Sequence, residues 1–369
     1  MTGRIVLLGA TGYTGSLVLD SLLRRGLEPT LAGRNRASVA ALAERHGGLP
    51  HAIVDATDPA GLREVVGRGD VLVTTVGPFE RFGHPLARAA ADAGAHYIDS
   101  TGEVGFVREL RERLHGRARD TGSVMLPAFG YDYVPGVLAG TLAAQRAGTA
   151  ARVLDIGYFA TGPLRKGLSQ GTRTTMRDGV TLPSARLLGH RLVAERTAAH
   201  VHAFPVAGRR KNAFLVSGTE VLFLPEEFPE LDAVTVYNGW FPALSRPLSL
   251  LSAVAHGAVR LPGGRRALDA LTRPLIGPPG GPDAVERART RTHVVAVAAA
   301  SPGGAPLAEV RLEGPSIYTL TGELMAWAAH RLSTHADATP GVVSPTKAFG
   351  MDQLQRGCAE IGLTEAGQG

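Results

Sequence analysis

The residues best suited to chemistry lie close behind the start of the chain. Gly9-Ala10-Thr11-Gly12-Tyr13-Thr14-Gly15 has three glycines at a spacing that lets backbone N–H groups approach a pyrophosphate. Glycine lets the turn reverse sharply, and the start of a following helix adds partial positive charge. Gly9, Thr11, Gly12, Tyr13, Thr14 and Gly15 are therefore candidate cofactor contacts. The alternative is a tight strand-to-helix turn that binds nothing. A second position chooses the cofactor. Where a site for NAD would place an acid after the second strand, the chain reads Gly33-Arg34-Asn35-Arg36. A guanidinium forms bidentate bonds to phosphate and stays charged at working pH. Arg34, helped by Asn35 or Arg36 beside Gly33, thus reads as the seat of a 2′-phosphate, and the cofactor as NADP(H). Asp55 is placed to meet the adenine end, and Gly77-Pro78-Phe79 either meets the ring-proximal end or forms an ordinary turn.

A hydride reaction also needs a proton donor. Tyr97, Asp99, Glu103, Tyr131 and Asp132 are the candidates, because a carboxyl in a water-poor place gains a raised pKa and can donate near neutrality. Asp132 could instead cap the helix starting near Pro135, and Asp99 and Glu103 could bond loop N–H groups. Arg165 and Arg173, with Lys166, flank Gly167 to Thr172 and could hold a substrate carboxylate, or form a solvated basic loop.

These residues must be positioned by regular elements. Ile5-Val6-Leu7-Leu8 is an apolar run before the glycine turn, and Ser16 to Leu23 has helical spacing. Strands at Leu27–Ala32, His51–Val54, Val71–Val76, His96–Asp99 and Ser123–Leu126 alternate with helices at 38–46, 59–66, 85–93 and 107–120. Such alternation predicts an α/β Rossmann unit with a doubly wound parallel sheet and its ligands beyond the carboxyl ends of the strands. After Pro127 alternating segments at 152–159, 233–237 and 292–299 predict an α+β domain with a mostly antiparallel sheet. The expected division is a dinucleotide-binding domain over 1–128, completed by 336–369, and a substrate and dimerisation domain over 129–335. A helix is expected at 318–332, loop at 339–350 and a last helix at 351–362. The Gly/Pro/Arg-rich stretch 262–282 is expected to be mobile or disordered at its edges.

Composition excludes several classes. The chain has 369 residues, 44% hydrophobic and 20% charged, with a formal charge of +6. Its basic residues are scattered and do not interleave with aromatics, which argues against nucleic acid. One cysteine, Cys358, permits no disulfide framework, and a reducing cytoplasm fits. No apolar stretch reaches a membrane-spanning length. His200 and His202 alternate along a strand without further ligands, so no metal is expected. A short-chain dehydrogenase site would need Tyr followed four residues later by Lys, and none of the seven tyrosines is.

Taken in order, several segments resemble the saccharopine dehydrogenase-like oxidoreductases, including their bacterial branch of trans-acting enoyl reductases. They are 9–15, Ala32-Gly33-Arg34, 77–79 with Gly83, 96–103, 130–136, Tyr318-Thr319-Leu320-Thr321 and Gly341 to Pro345. Ala90 stands where relatives often carry a cysteine, and 204–239 matches no known substrate pattern. The resemblance implies NADP(H), a small-molecule substrate and a homodimer formed through the second domain. Three functions follow as expectations. The first is NADPH-dependent reduction of a C=N bond. The second is reduction of a C=C bond of a polyketide or lipid intermediate, for which Leu222, Phe223, Leu224, Phe228, Trp240 and Phe241 could line a groove. The third is an NADP(H)-binding sensor without turnover.

Overall fold

A computed structural model of the chain describes residues 3–162, 168–179, 183–259, 280–334 and 337–367, with positions 261, 264, 266, 270 and 277 between. The chain divides into two units, Met1–Val134 with Tyr318–Ile361, and Pro135–Ile317 with Gly362–Gly369.

The first unit carries β1 (Ile5–Leu8), α1 (Tyr13–Arg24), β2 (Thr30–Gly33), α2 (Arg36–Arg45), β3 (His51–Ile53) and α3 (Pro59–Val65). Then follow β4 (Val71–Thr74), α4 (Phe79–Ala93), β5 (His96–Asp99), α5 (Val104–Thr121) and β6 (Val124–Leu126). All seven strands of its sheet run parallel, in the order Gly341–Val342, β6, β5, β4, β1, β2, β3. This is the expected doubly wound sheet, reversing between β1 and β4. Helices cover both faces, so the central strands read as continuous apolar runs: every residue of β1 and β4 is buried.

Several helix starts lie earlier than the sequence reading: α1 by three residues, α2 by two, and α4 by the most. α4 begins at Phe79, not Pro85, and Pro85 sits inside it. The missing signal is non-local, since the cap comes from Glu103, 24 residues away from Phe79. α5 likewise begins at Val104 rather than 107. The segment 339–350, read as loop, contains the sheet's edge strand and a short helix, Pro345–Phe349, capped by the Ser344 hydroxyl.

The second unit is a nine-stranded mixed sheet. Its main path runs Val201–Val206, Arg209–Val216, Ala233–Asn238, Val153–Thr161, Arg291–Ala299, Pro306–Gly314, Thr364–Glu365. Among the described strands only the Ala233–Asn238 and Val153–Thr161 pair is parallel, so the sheet is mostly antiparallel as expected. Phe159, Phe204, Val206, Ala213, Tyr237 and Val295 form an apolar cluster on it.

The unit boundaries depart from the expected ones. Helix Ile317–Thr334, placed at the end of the second domain by sequence, packs on α1 in the first unit. Gly322 lets the two backbones meet, for a Cβ there would lie 3.0 Å from Leu17. Glu323 accepts from Ser21 Oγ at 2.8 Å and pairs with Arg24 and Arg25. Conversely 362–369, expected to complete the first domain, belongs to the second unit. There Glu365 takes a bidentate pair from Arg146, and Thr364 sits opposite Glu313.

Burial alone would raise the Glu323 carboxyl, but Ser21, Arg24 and Arg25 outweigh it and hold it below the ordinary glutamate range. A depressed carboxylate contributes stability above its unfolded pKa and loses it as pH falls through the folded one. Glu323→Ala is therefore expected to destabilise the protein by about 2 kcal/mol at pH 7. Urea denaturation should show the gap closing as the pH drops below about 4.

Candidate functional site

The carboxyl edge of the parallel sheet gathers most of the candidate residues. At the end of β1, Gly9 has φ +92° and its N–H donates to the Ala32 carbonyl at 3.1 Å. A side chain there would press on the loop after β4, since a Cβ would lie 2.8 Å from Thr75 Oγ1 and 2.9 Å from Val76. Gly12 N–H donates to the Gly9 carbonyl at 2.9 Å, and α1 then starts at Tyr13 with no side-chain cap. A Cβ on Gly15 would overlap the Gly9 carbonyl, so only glycine lets the loop close this tightly. Thr11 and Gly12 are exposed, Tyr13 and Thr14 half-buried. A tight glycine turn at an uncapped helix N-terminus, at the point where strand order reverses, fits a pyrophosphate.

Arg34 follows half-buried Gly33 at the end of β2 and is exposed, as is Arg36. Asn35 Oδ1 accepts from Ser38 N–H at 3.0 Å and caps α2. Asp55 accepts from the Thr57 hydroxyl at 2.6 Å and the Thr57 N–H at 2.8 Å. Those bonds, with the charge of Arg34, hold its carboxyl below the usual range. Arg34 thus sits beside a fixed anion at the edge where a 2′-phosphate would be read. After β4, Gly77-Pro78 is a cis peptide, and Phe79 packs on Phe106 with ring centroids 5.9 Å apart.

The loops after β5 and β6 hold the titratable groups. Asp99 is fully buried, and its Oδ1 accepts from Thr101 N–H at 2.9 Å and from Ala128 N–H at 2.8 Å. Burial pushes its carboxyl up to about 6 against those two bonds. Tyr97 lies next to it with no exposed surface, and burial and the Asp99 charge push its phenol well above 10. Glu103 spends its two oxygens on the N–H groups of Phe79 and Glu80, each at 2.8 Å. Tyr131 is buried, with its N–H donating to Thr321 Oγ1 at 3.2 Å. Asp132 differs from all of these. Solvent reaches its side chain, which makes no hydrogen bond or ion pair among the described residues. Crowding by surrounding protein still pushes its carboxyl up to about 6.

Of the proton-donor candidates, Asp99 and Glu103 are thus occupied as loop and helix caps, the alternative that their residue types allowed. Tyr97 and Tyr131 are sealed from solvent. Asp132 does not take the capping role open to it, since the helix Val134–Ala147 begins two residues later and the Val134 N–H donates to the Gly130 carbonyl. Three contributors lay outside the sequence reading. Thr75 and Thr101 are ordinary in sequence, and Ala128 adopts φ +61°, which residue type does not announce.

In the second unit Arg173 donates to the Leu168 carbonyl, which ties its guanidinium to its own loop. Arg165 and Lys166 lie outside the described residues. Leu222, Phe223, Leu224 and Trp240 are buried core rather than a groove lining, and Phe228 and Phe241 are half-buried. Among the described residues no His/Cys/Asp/Glu group could hold a metal, and no helix is long and apolar enough to cross a membrane. Cys358 is buried, its thiol pushed up to about 12.

Comparison with known proteins agrees with this geometry. The saccharopine dehydrogenase NADP binding domain matches residues 5–126. A trans-acting enoyl reductase of Mycobacterium ulcerans is 41% identical over 137 residues, 36% of this chain and 33% of that protein, so the match spans about a third of that relative. A putative trans-acting enoyl reductase of Mycobacterium tuberculosis is 29% identical over 413 aligned positions, 95% of this chain and 94% of that one. Apo saccharopine dehydrogenase (L-Glu forming) from Saccharomyces cerevisiae has the same fold, with 13% identity, 98% coverage of both chains and a TM-score of 0.61. The cofactor is NADP(H).

Arg34→Ala is expected to raise the Kd for NADPH roughly ten- to a hundredfold, the worth of charge-assisted bonds to one phosphate. Binding of NADH should barely change. Fluorescence titration of wild type and variant with both cofactors measures this directly.

Proposed function

We propose that this chain, a member of the saccharopine dehydrogenase-like NADP-binding oxidoreductases, reduces a carbon–carbon double bond conjugated to a carbonyl. One observation supports the choice over a C=N bond. Likeness to a putative enoyl reductase runs through 95% of this chain and 94% of that relative, and so includes the non-nucleotide part that must recognise substrate. A carboxylate clamp for an amino-acid-derived imine gains little support, because Arg173 is bound to the Leu168 carbonyl.

In the proposed reaction bound NADPH supplies a hydride to the β-carbon of the acceptor. The chain's own residues have three tasks. The glycine turn and the start of α1 hold the pyrophosphate, and Arg34 holds the 2′-phosphate. Asp99 and Glu103 fix the loops that shape the site, through their bonds to Thr101, Ala128, Phe79 and Glu80. Asp132 holds the proton that ends on the α-carbon as the double bond becomes single. With a carboxyl pushed up to about 6, it is partly protonated near neutrality and re-ionises after donation. Tyr131 and Tyr97 are buried and Glu103 has both oxygens on backbone N–H groups, whereas Asp132 is exposed and makes no such bond among the described residues.

The acid must carry its proton to act, so kcat/KM should fall as the pH rises through about 6. Asp132→Asn is expected to lower kcat roughly a hundredfold or more and to flatten that limb, while NADPH binding is unchanged. Absorbance of NADPH followed with 2-enoyl thioesters and with cyclic imines decides the acceptor. Turnover of the thioester alone is expected. Turnover of imines alone would replace the C=C reading, and binding of NADPH without turnover of either class would favour a sensor.

A further inference from the structure

A hydroxyl, an imidazole and a carboxylate stand in line across three adjacent strands of the second unit. Thr161 ends the strand Val153–Thr161, His293 lies near the start of Arg291–Ala299, and Glu313 lies near the end of Pro306–Gly314. The antiparallel registers set Arg291 opposite Thr161, and His293 opposite both Phe159 and Glu313. All of these side chains therefore leave the sheet on one face. His293 Nδ1 lies 3.2 Å from Glu313 Oε1, and His293 Nε2 lies 3.1 Å from Thr161 Oγ1. A carboxylate only accepts, so Nδ1 carries the proton and the Nε2 lone pair accepts from the Thr161 hydroxyl.

The surroundings fit that assignment. His293 is 8% exposed, and burial holds its imidazole below the ordinary histidine range. The charges of Lys211 and Arg291 act in the same direction, and Glu313 acts against them. The neutral imidazole is the form that takes up a proton. An aliphatic side chain at 293 would pack beside Phe159, Phe204 and Val295 without the cost of burying two ring nitrogens. The two ends of the line reach solvent, since Thr161 is half-buried and the Glu313 side chain is 41% exposed. Neither Arg291 nor Lys211 forms a side-chain hydrogen bond or ion pair among the described residues. Two uncommitted cations near a hydroxyl suit an oxyanion.

We propose that Thr161, His293 and Glu313 form a second, hydrolytic centre that cleaves activated acyl esters and thioesters. Thr161 Oγ attacks the acyl carbon while His293 Nε2 takes the hydroxyl proton. The C–O or C–S bond to the leaving group then breaks, and Nε2 returns the proton to that group. Water attacks the acyl-threonine by the same route, which releases a carboxylic acid and restores the hydroxyl. Nothing is oxidised or reduced. Glu313 is a positioning residue that fixes the tautomer, and Arg291 and Lys211 supply positive charge for the oxyanion. The inference rests on the second unit alone and is independent of the reduction above.

The test is release of p-nitrophenolate from p-nitrophenyl butyrate by the full chain without NADPH, with mass spectrometry of the protein during turnover. Wild type should hydrolyse the ester and carry a butyryl group on Thr161. Thr161→Val and His293→Gln should each lower kcat/KM roughly a hundredfold or more, and Thr161→Ser should keep the activity. Glu313→Gln keeps an acceptor for Nδ1–H but removes the charge that raises the imidazole. The base must be neutral to act, so the rising limb of the pH–rate profile should move to lower pH in that variant. A merely structural Glu313 would leave the limb in place, and an unmoved limb would remove Glu313 from the proposal. Unchanged thermal unfolding reports an intact fold in each variant. Where Thr161→Val does not fold, the butyryl group on wild type decides the matter. Absence of hydrolysis by wild type, equal hydrolysis by folded Thr161→Val, or a butyryl group on another residue would overturn the proposal.

Discussion

The carboxylate of Asp99 is the contact on which the rest of the carboxyl edge depends. One oxygen, buried at the end of β5, accepts from Thr101 on its own loop and from Ala128 on the loop after β6. The second bond holds Ala128 at φ +61°, a left-handed conformation that costs a non-glycine residue about 1 kcal/mol or more. The Asp99 carbonyl also accepts from the Phe129 N–H at 2.7 Å. From there the chain passes directly through Tyr131 to Asp132. The position of the exposed Asp132 carboxyl is therefore set by a carboxyl that solvent never reaches. The arrangement has an electrostatic cost, since burial raises Asp99 to about 6 and disfavours the ionised form that accepts most strongly. The two N–H bonds offset that cost, and above about pH 6 they hold a charge the interior would otherwise reject.

Glu103 extends the same logic one step outward. It occupies the N-cap position of α5 but directs its side chain to the first two N–H groups of α4. Its carboxylate thereby fixes where α4 begins, and with it the loop at Gly77-Pro78-Phe79, while its backbone opens α5. Asp99 and Glu103 are linked through Thr101, whose N–H donates to Asp99 and whose hydroxyl accepts from the Glu103 N–H at 3.0 Å. The chain of bonds runs from the β6 loop to the β4 loop without leaving the first unit, so a shift at either end must be felt at the other.

What could be read from sequence follows the range of the interactions. The parallel sheet was legible because its signals are local: buried apolar runs such as Val71–Thr74, each followed by a glycine or a capping residue. Gly9, Gly12 and Gly15 were legible for the same reason, since their spacing encodes a turn. The start of α4 was not, because its cap lies on another loop and Pro85 is the stronger local signal. The short strand Gly341–Val342 was missed because two residues carry no periodicity and form a strand only beside β6. The unit boundary near 317 was missed because Gly322 and Glu323 acquire meaning only against Leu17, Ser21 and Arg25 of α1.

The same reasoning separates the candidate site residues. Residue type alone made Asp99, Glu103 and Asp132 equivalent, three acids in glycine-rich loops. Their partners make them different. Two accept from backbone N–H groups, which hold a carboxylate in place and oppose its taking up a proton. The third has no such bond among the described residues and is nonetheless raised to about 6, so surroundings rather than a partner govern its charge. A carboxyl of that kind can change its protonation state without dismantling the loops around it. Asp99 has the same raised value, but losing or gaining its proton would disturb Thr101 and Ala128 together. Division of labour between a structural acid and a chemical acid therefore arises from hydrogen bonds to the backbone, and those are set by the fold rather than by the residue type.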